Sequence, residues 1–138
     1  MQISLGSVTS TPGTATSDLS QENKIFTITP SGSSTKVIEG KDNVFQMCFT
    51  DPNQGTASAQ YISEQNLATK IAVIYKNDDV YSTGIYEKFM EKANELGLDV
   101  VSVSTFTTDS QNDFSVQLTD AKNAGADLVF LPIYYEAA

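Results

Sequence analysis

The 138-residue chain contains no histidine, no tryptophan and a single cysteine. Without histidine, the commonest general base and the commonest metal ligand are both missing. One cysteine cannot close an internal disulfide, so cysteine usage leaves the redox compartment open. That residue, Cys48, lies in the apolar stretch "VFQMCF" with no nearby cation to lower its pKa. It reads as a buried structural thiol rather than a nucleophile. Basic residues are scarce as well: 8 Lys and Arg stand against 17 acids, a net charge of -9. Their dispersal argues against nucleic acid and against anionic membrane surfaces, both of which need clustered cations. No apolar run approaches the length of a membrane span. No charged-then-apolar leader opens the sequence, so no signal peptide is visible. Met1 stands directly before a strand-like "QISLG" and looks like an introduced start.

Familiar catalytic signatures are missing too. No G-x-G-x-x-G follows a strand, no G-x-x-x-x-G-K-[ST] occurs, and there is no G-x-S-x-G elbow. A hydroxyl nucleophile here would have no imidazole base. Asp78 and Asp79 are adjacent carboxylates with no spaced third ligand, a weak signal for a divalent cation. The expectation is a non-enzymatic protein with no cofactor and no metal.

What is present fits an ordinary globular protein: 40% hydrophobic and 18% charged residues, at a length that permits a sizeable core. From Lys70 onward, strand and helix patterns alternate. "IAVIY" (Ile71 to Tyr75) is a continuous apolar run of the kind found in strands covered on both faces. Ile85, Phe89, Ala93 and Leu96 then recur at helical spacing, and Gly97 sits where a left-handed stop belongs. "DVVSVSTF" reads as a strand. Phe114, Leu118 and Ala121 share one face of a following helix closed by Gly125, and "DLVFLPIYY" reads as a further buried strand. This order predicts right-handed βαβ units and a parallel sheet. Upstream, "FTDPNQGTASAQYISEQN" reads as a helix with Asp51 as N-cap and Pro52 at its first position. "ISLGS" and "KIFTITP" read as strands around a weaker, Ser- and Thr-rich helix near Pro12 to Asn23. "GSSTKVIEGKDN" reads as a loop, and "VFQMCF" as a strand or extended crossing segment. The fold class is therefore α/β.

In open parallel sheets, ligands bind beyond the carboxyl ends of the strands. Two such ends, "GSVTST" and "TPSGSST", are rich in small hydroxyls; two others, "KNDDVYSTG" and "IYYEAA", carry tyrosines. Hydroxyls and backbone N–H groups near a glycine can hold a carboxylate. The same residues also make turns and helix caps. For Ser10 and Ser31 to Ser33 both readings stay open. Tyr81 and Tyr134 are amphipathic and can cover an apolar group or line a core. Asp78, Asp79 and Glu136 can pair with an ammonium or simply face solvent.

With those residues assembled, the chain resembles the type I periplasmic binding proteins, specifically the branched-chain amino-acid (Leu/Ile/Val) binding proteins of ABC transporters. The resemblance rests on "SLGSVTST", "SQENKIFTITPSGSST", "VFQMCFTDPNQGTASAQYI", "KIAVIYKNDDVYSTGIYEKF" and "TDSQNDFSVQLTDAKNAGADLVFLPIYY", in the family's order and spacing. It implies flavodoxin-like lobes and capture of a small amino-acid-like ligand between two lobes. Ser10 then corresponds to the serine that binds the ligand carboxylate. Ser31 and Ser33, flanking Gly32, correspond to the loop that offers a carbonyl and a hydroxyl to the head group. Tyr81 and Tyr134 match the aromatic contacts of the opposing lobe. Family members are about twice as long, so the resemblance implies an internal, incomplete piece, with residues 1–49 in the first lobe and 50–138 in the second. It further implies an ABC permease as partner of the parent protein and an extracytoplasmic location, in the periplasm or as a cell-surface lipoprotein. Open sheet edges suggest a homodimer or strand-exchanged oligomer. Two rival readings are a ligand-sensing receptor or regulator domain of the same fold, and a flavodoxin-like enzyme or nucleotide-binding domain built as one sheet.

Overall fold

The run Ile71–Lys76 (β4) has four consecutive fully buried residues, Ile71 to Ile74, because both of its faces and both of its edges are covered. In the computed structural model, which describes residues 3–138, β4 lies between Val100–Phe106 (β5) and Leu128–Phe130 (β6), all parallel. Met1 and Gln2, the first residues of the expected "QISLG" segment, lie outside the described residues. A second parallel sheet has the order β1-β2-β3: Ile3–Leu5 (β1), Phe26–Thr29 (β2) and Val44–Gln46 (β3). The helices are Ser10–Glu22 (α1), Asp51–Glu64 (α2), Val80–Leu96 (α3) and Ser115–Asn123 (α4). The chain thus divides into two compact units, Met1–Asp51 and Pro52–Ala138. Two sheets replace the one sheet that a flavodoxin-like enzyme would have needed.

The larger unit has an ordinary apolar core. Ala59, Ile62, Ile71, Val73, Phe89 and Ala93 pack together, and the Phe89 ring stacks on Phe130 at 4.1 Å. Burying each large side chain contributes about 1.5–3 kcal/mol. α3 begins at Asp79, whose carboxylate accepts from the Ser82 amide, and ends at Gly97 with φ of 69°. That left-handed stop is where the sequence places it. α2 crosses α3 at Gly55, which is buried against the Ile85 and Phe89 backbone and the Lys88 Cβ of α3.

The smaller unit is held differently. α1 carries Thr14, Thr16, Ser17 and Ser20, each donating to a carbonyl of the preceding turn. Thr27 of β2 donates to Ser20 Oγ at 2.9 Å. The hydroxyls that weaken the helical pattern are therefore satisfied inside the helix and against the sheet. Thr27, Thr29 and Val44 face inward, while Ile3, Leu5, Phe26, Ile28 and Phe45 share the other face. Leu5 is 85% exposed on that face.

Several expectations need correction. Cys48 is half-exposed, between the exposed Met47 and Phe49. Its strand ends at Gln46, so the apolar residues after it leave the sheet instead of entering a core. The "DLVFLPIYY" strand stops at Phe130, because Pro132 offers no N–H for a ladder, and at the sheet edge Leu128 and Phe130 are only partly buried and Val129 is exposed. Leu118 and Leu96 are exposed; α4 buries only Ala121. Asp51 is the first residue of α2, not a residue before it. α1 starts two residues before Pro12, at Ser10, and the loop after β2 contains a short 3₁₀ turn, Thr35–Val37, capped by Ser34.

Candidate ligand-binding residues

In the smaller unit the loops after β1 and β2 meet. The Ser34 amide donates to Ser10 Oγ at 3.1 Å, joining positions 24 residues apart. Ser10, Gly32, Ser33 and Ser34 are buried and Ser31 is exposed. Because Ser10 Oγ accepts from Ser34, its own proton is left to donate. Ser10 is also the first residue of α1, where unpaired amides and the helix dipole favour an anion. No acidic side chain of α1 occupies that first turn. The Ser33 carbonyl accepts from the Asp51 amide at 3.0 Å, which anchors the loop at the start of α2.

Three residues in this arrangement were not named as site residues from the sequence: Thr29 and Ser34, which lie within the hydroxyl-rich "TPSGSST", and Gln46. Thr29 Oγ1 donates to the Ser7 carbonyl at 2.7 Å and accepts from the Gly32 amide at 2.8 Å. Gln46 Nε2 donates to the Gly32 carbonyl. The available signal was period two: Thr29 alternates with Ile28 and so faces α1 together with Thr27.

In the larger unit, the rings of Tyr81 and Tyr134 stack at 4.6 Å with planes 16° apart. Both are half-buried, and Gln54 Nε2 donates to the Tyr81 hydroxyl at 3.4 Å. Tyr81 is on the first turn of α3, and Tyr134 follows β6. Ser82 joins these two places: its fully buried hydroxyl donates to the Pro132 carbonyl at 2.6 Å and accepts from the Lys76 amide at 2.8 Å. A cavity of about 40 Å³ lies here, lined by Lys76, Asp79, Ser82, Tyr134 and Glu136 among others. It has room for water, which needs roughly 10–15 Å³, but not for an amino-acid side chain.

The acids weighed as ammonium partners have other work. Asp79 caps α3. Asp78 accepts from Thr108 N and Oγ1, both at 2.9 Å, and the backbone bond from Thr108 is the chief cause that lowers its pKa. Glu136 is exposed. Among the described residues, no group of three or more His, Cys, Asp or Glu is placed to hold a metal ion.

A family model for periplasmic binding proteins matches residues 1–135. The chain belongs to the periplasmic binding protein family. Among its relatives, Leu/Ile/Val-binding protein homolog 3 of Brucella melitensis is 30% identical over 132 residues, covering 95% of this chain and 35% of that protein. An amino acid binding protein of Pseudomonas aeruginosa is 31% identical, covering 83% of this chain and 30% of the relative. The leucine binding protein LivK of Thermotoga maritima superposes with a TM-score of 0.85 at 32% identity, covering 92% of this chain and 36% of the other. The branched-chain amino acid transporter substrate binding protein LivJ of Streptococcus pneumoniae, solved with isoleucine, gives a TM-score of 0.88 at 28% identity, covering 99% and 38%. The chain spans about a third of the length of the curated relatives it matches (35% of the Brucella protein). Membership of this family accounts for the parallel α/β units.

Proposed function

We propose that the protein is a non-enzymatic solute-binding component of an ABC importer that takes a small amino acid with a branched apolar side chain. Ser10 donates to the ligand carboxylate at the N-terminus of α1. Ser33 contributes a hydroxyl and Ser31 a carbonyl to the head group, beside Gly32. Tyr81 and Tyr134 cover the apolar part. The observation that carries this reading is the Ser34 N to Ser10 Oγ bond, which holds two hydroxyl-bearing loops side by side at a helix start without an acid of its own. Each hydrogen bond to a charged head group contributes about 1.5–3 kcal/mol. Three or four of them reach the roughly 8 kcal/mol of micromolar binding. The names of the relatives support a branched-chain ligand, an ABC permease as the partner that receives it, and an extracytoplasmic place of work.

Calorimetric titration with L-leucine, L-isoleucine and L-valine tests the reading. Ser10→Ala and Ser33→Ala are each expected to weaken binding by more than about tenfold, or 1.4 kcal/mol. Normal affinity in both variants sinks the head-group assignment, and no binding of any amino acid by the unaltered protein sinks the function.

Self-association is the second part of the proposal. β1 and β3 are edges of one sheet, β5 and β6 of the other, and the apolar face bearing Ile3, Leu5 and Phe45 is largely exposed. Unpaired edges and apolar faces of this kind favour a homodimer or strand exchange. A clean monomer in light scattering at high protein concentration would count against it.

A further inference from the structure

The Gly32 peptide groups are held by two side chains that are themselves neighbours in the sheet. Thr29, the last residue of β2, is the register partner of Gln46, the last residue of β3. Thr29 Oγ1 accepts from the Gly32 amide at 2.8 Å and donates to the Ser7 carbonyl at 2.7 Å. Gln46 Nε2 donates to the Gly32 carbonyl at 2.5 Å. Thr29 is 1% exposed and its bond from the Gly32 amide is buried, so water does not compete there, while the Gln46 bond is partly buried. A Cβ on Gly32 would stand 2.8 Å from Thr29 Oγ1, too close for any side chain to sit there without displacing the clamp.

Fixing both the N–H and the C=O of one residue fixes the peptide planes on both sides of it. Those planes carry the Ser31 carbonyl, which the head-group reading uses directly, and the Ser33 amide, which sets where the Ser33 hydroxyl of that reading stands. The bond from Thr29 to Ser7 adds the loop that leads into Ser10. We propose that Thr29 and Gln46 are positioning residues: without touching the ligand, they set the spacing of the Ser10 loop and the Ser31–Ser33 loop. This inference rests on the proposed amino-acid site for its consequence, while its geometry stands independently.

Amide hydrogen exchange of the 138-residue chain followed by NMR reads the geometry directly. Thr29→Val keeps the shape and removes the hydroxyl. It should speed exchange of the Gly32 amide by about fivefold to tenfold, the equivalent of one lost hydrogen bond. Thr29→Ser should restore protection, and Gln46→Met should loosen the same amide by a smaller factor. The Gly6 and Thr27 amides, paired with Ile28 and Asn43 carbonyls, report on the unit as a whole and should stay unchanged. In a parallel titration with L-leucine, Thr29→Val should weaken binding by about fivefold to tenfold, with Thr29→Ser close to the parent. Gly32 exchange unaltered in both Thr29→Val and Gln46→Met overturns the clamp, whatever the chain binds. Faster exchange with unchanged leucine affinity overturns the positioning role. Faster exchange in a chain that binds no amino acid keeps the clamp and refutes the function proposed above.

Discussion

Replacing Ser82 by alanine removes one oxygen and strands two backbone groups. The Ser82 hydroxyl is completely buried; it accepts from the Lys76 amide at the end of β4 and donates to the Pro132 carbonyl beyond β6. Losing a buried partner costs about 1–3 kcal/mol per group, because the stranded donor or acceptor is desolvated and unpaired. The two groups are not equivalent. The bond to Pro132 is buried, whereas the bond from the Lys76 amide is partly buried, and Lys76 and Ser82 both line the cavity of about 40 Å³, where a water can replace the lost oxygen. Alanine also returns roughly 0.5 kcal/mol of helix propensity at an α3 position. The net expectation is a loss of about 2–3 kcal/mol, or roughly 8–20 °C in melting temperature for a domain under 100 residues. Urea unfolding followed by tyrosine fluorescence and far-UV circular dichroism measures it. Thr83→Val is the control: its hydroxyl bonds only to the Asp79 and Val80 carbonyls within the helix. It should shift stability by no more than about 0.5 kcal/mol. A Ser82→Ala cost as small as the control's would refute the idea that one hydroxyl ties β4 to the Tyr134 loop.

Two further changes probe the same unit. Gly55→Ala places a Cβ against the Ile85 carbonyl oxygen and 2.8 Å from the Phe89 nitrogen, both backbone atoms that cannot step aside. Overpacking of about 1–3 kcal/mol should exceed the roughly 1 kcal/mol gained in helix propensity; thermal unfolding showing a higher melting point would mean the helices do not cross there. Asp127 accepts from the Thr69 hydroxyl and from the Thr69 and Lys70 amides, the Thr69 hydroxyl bond being the largest cause, and its pKa falls to about 2 from 3.8. A depressed folded-state pKa contributes stability that is present above pH 3.8 and lost as pH falls toward 2. Urea midpoints measured across that window should decline more steeply for the parent than for Asp127→Asn. Parallel curves would show that the carboxylate is not held.

The larger unit was legible in the sequence because its signals agree. A strand buried on both faces, a helix with apolar residues at i, i+4 and i+8, and a glycine stop at Gly97 all point one way, and α3 and β4 form accordingly. The smaller unit was harder to read because its helix is made of residues that prefer caps and turns. The hydroxyls of α1 bond partly to carbonyls of the preceding turn and partly to the sheet, as in the bond from Thr27 to Ser20 Oγ. A distant loop adds the bond from Asn43 to the Ser20 carbonyl, and spacing along the chain does not reveal these long-range partners. Edges misled in the other direction. "VFQMCF" and "DLVFLPIYY" are apolar enough for buried strands, yet Met47, Phe49 and Leu131 are exposed at or beyond the ends of their strands. At the candidate site, Ser10 and the Ser31–Ser33 loop stood out through composition. Thr29 and Gln46 did not, because their importance comes from the β2–β3 register, which brings together residues 17 apart (46 − 29).

Deleting one charged group at a time from the ligand interrogates the head-group claim most directly. Calorimetry would compare L-leucine with 3-methylbutylamine, which lacks the carboxylate, and with 4-methylpentanoate, which lacks the ammonium. Hydrogen bonds to charged groups contribute about 1.5–3 kcal/mol each, so each deletion should weaken binding by roughly a hundredfold or more. If all three ligands bind alike, the apolar tail alone is being recognised, and the hydroxyls around Ser10 and Ser33 are turn and cap residues after all.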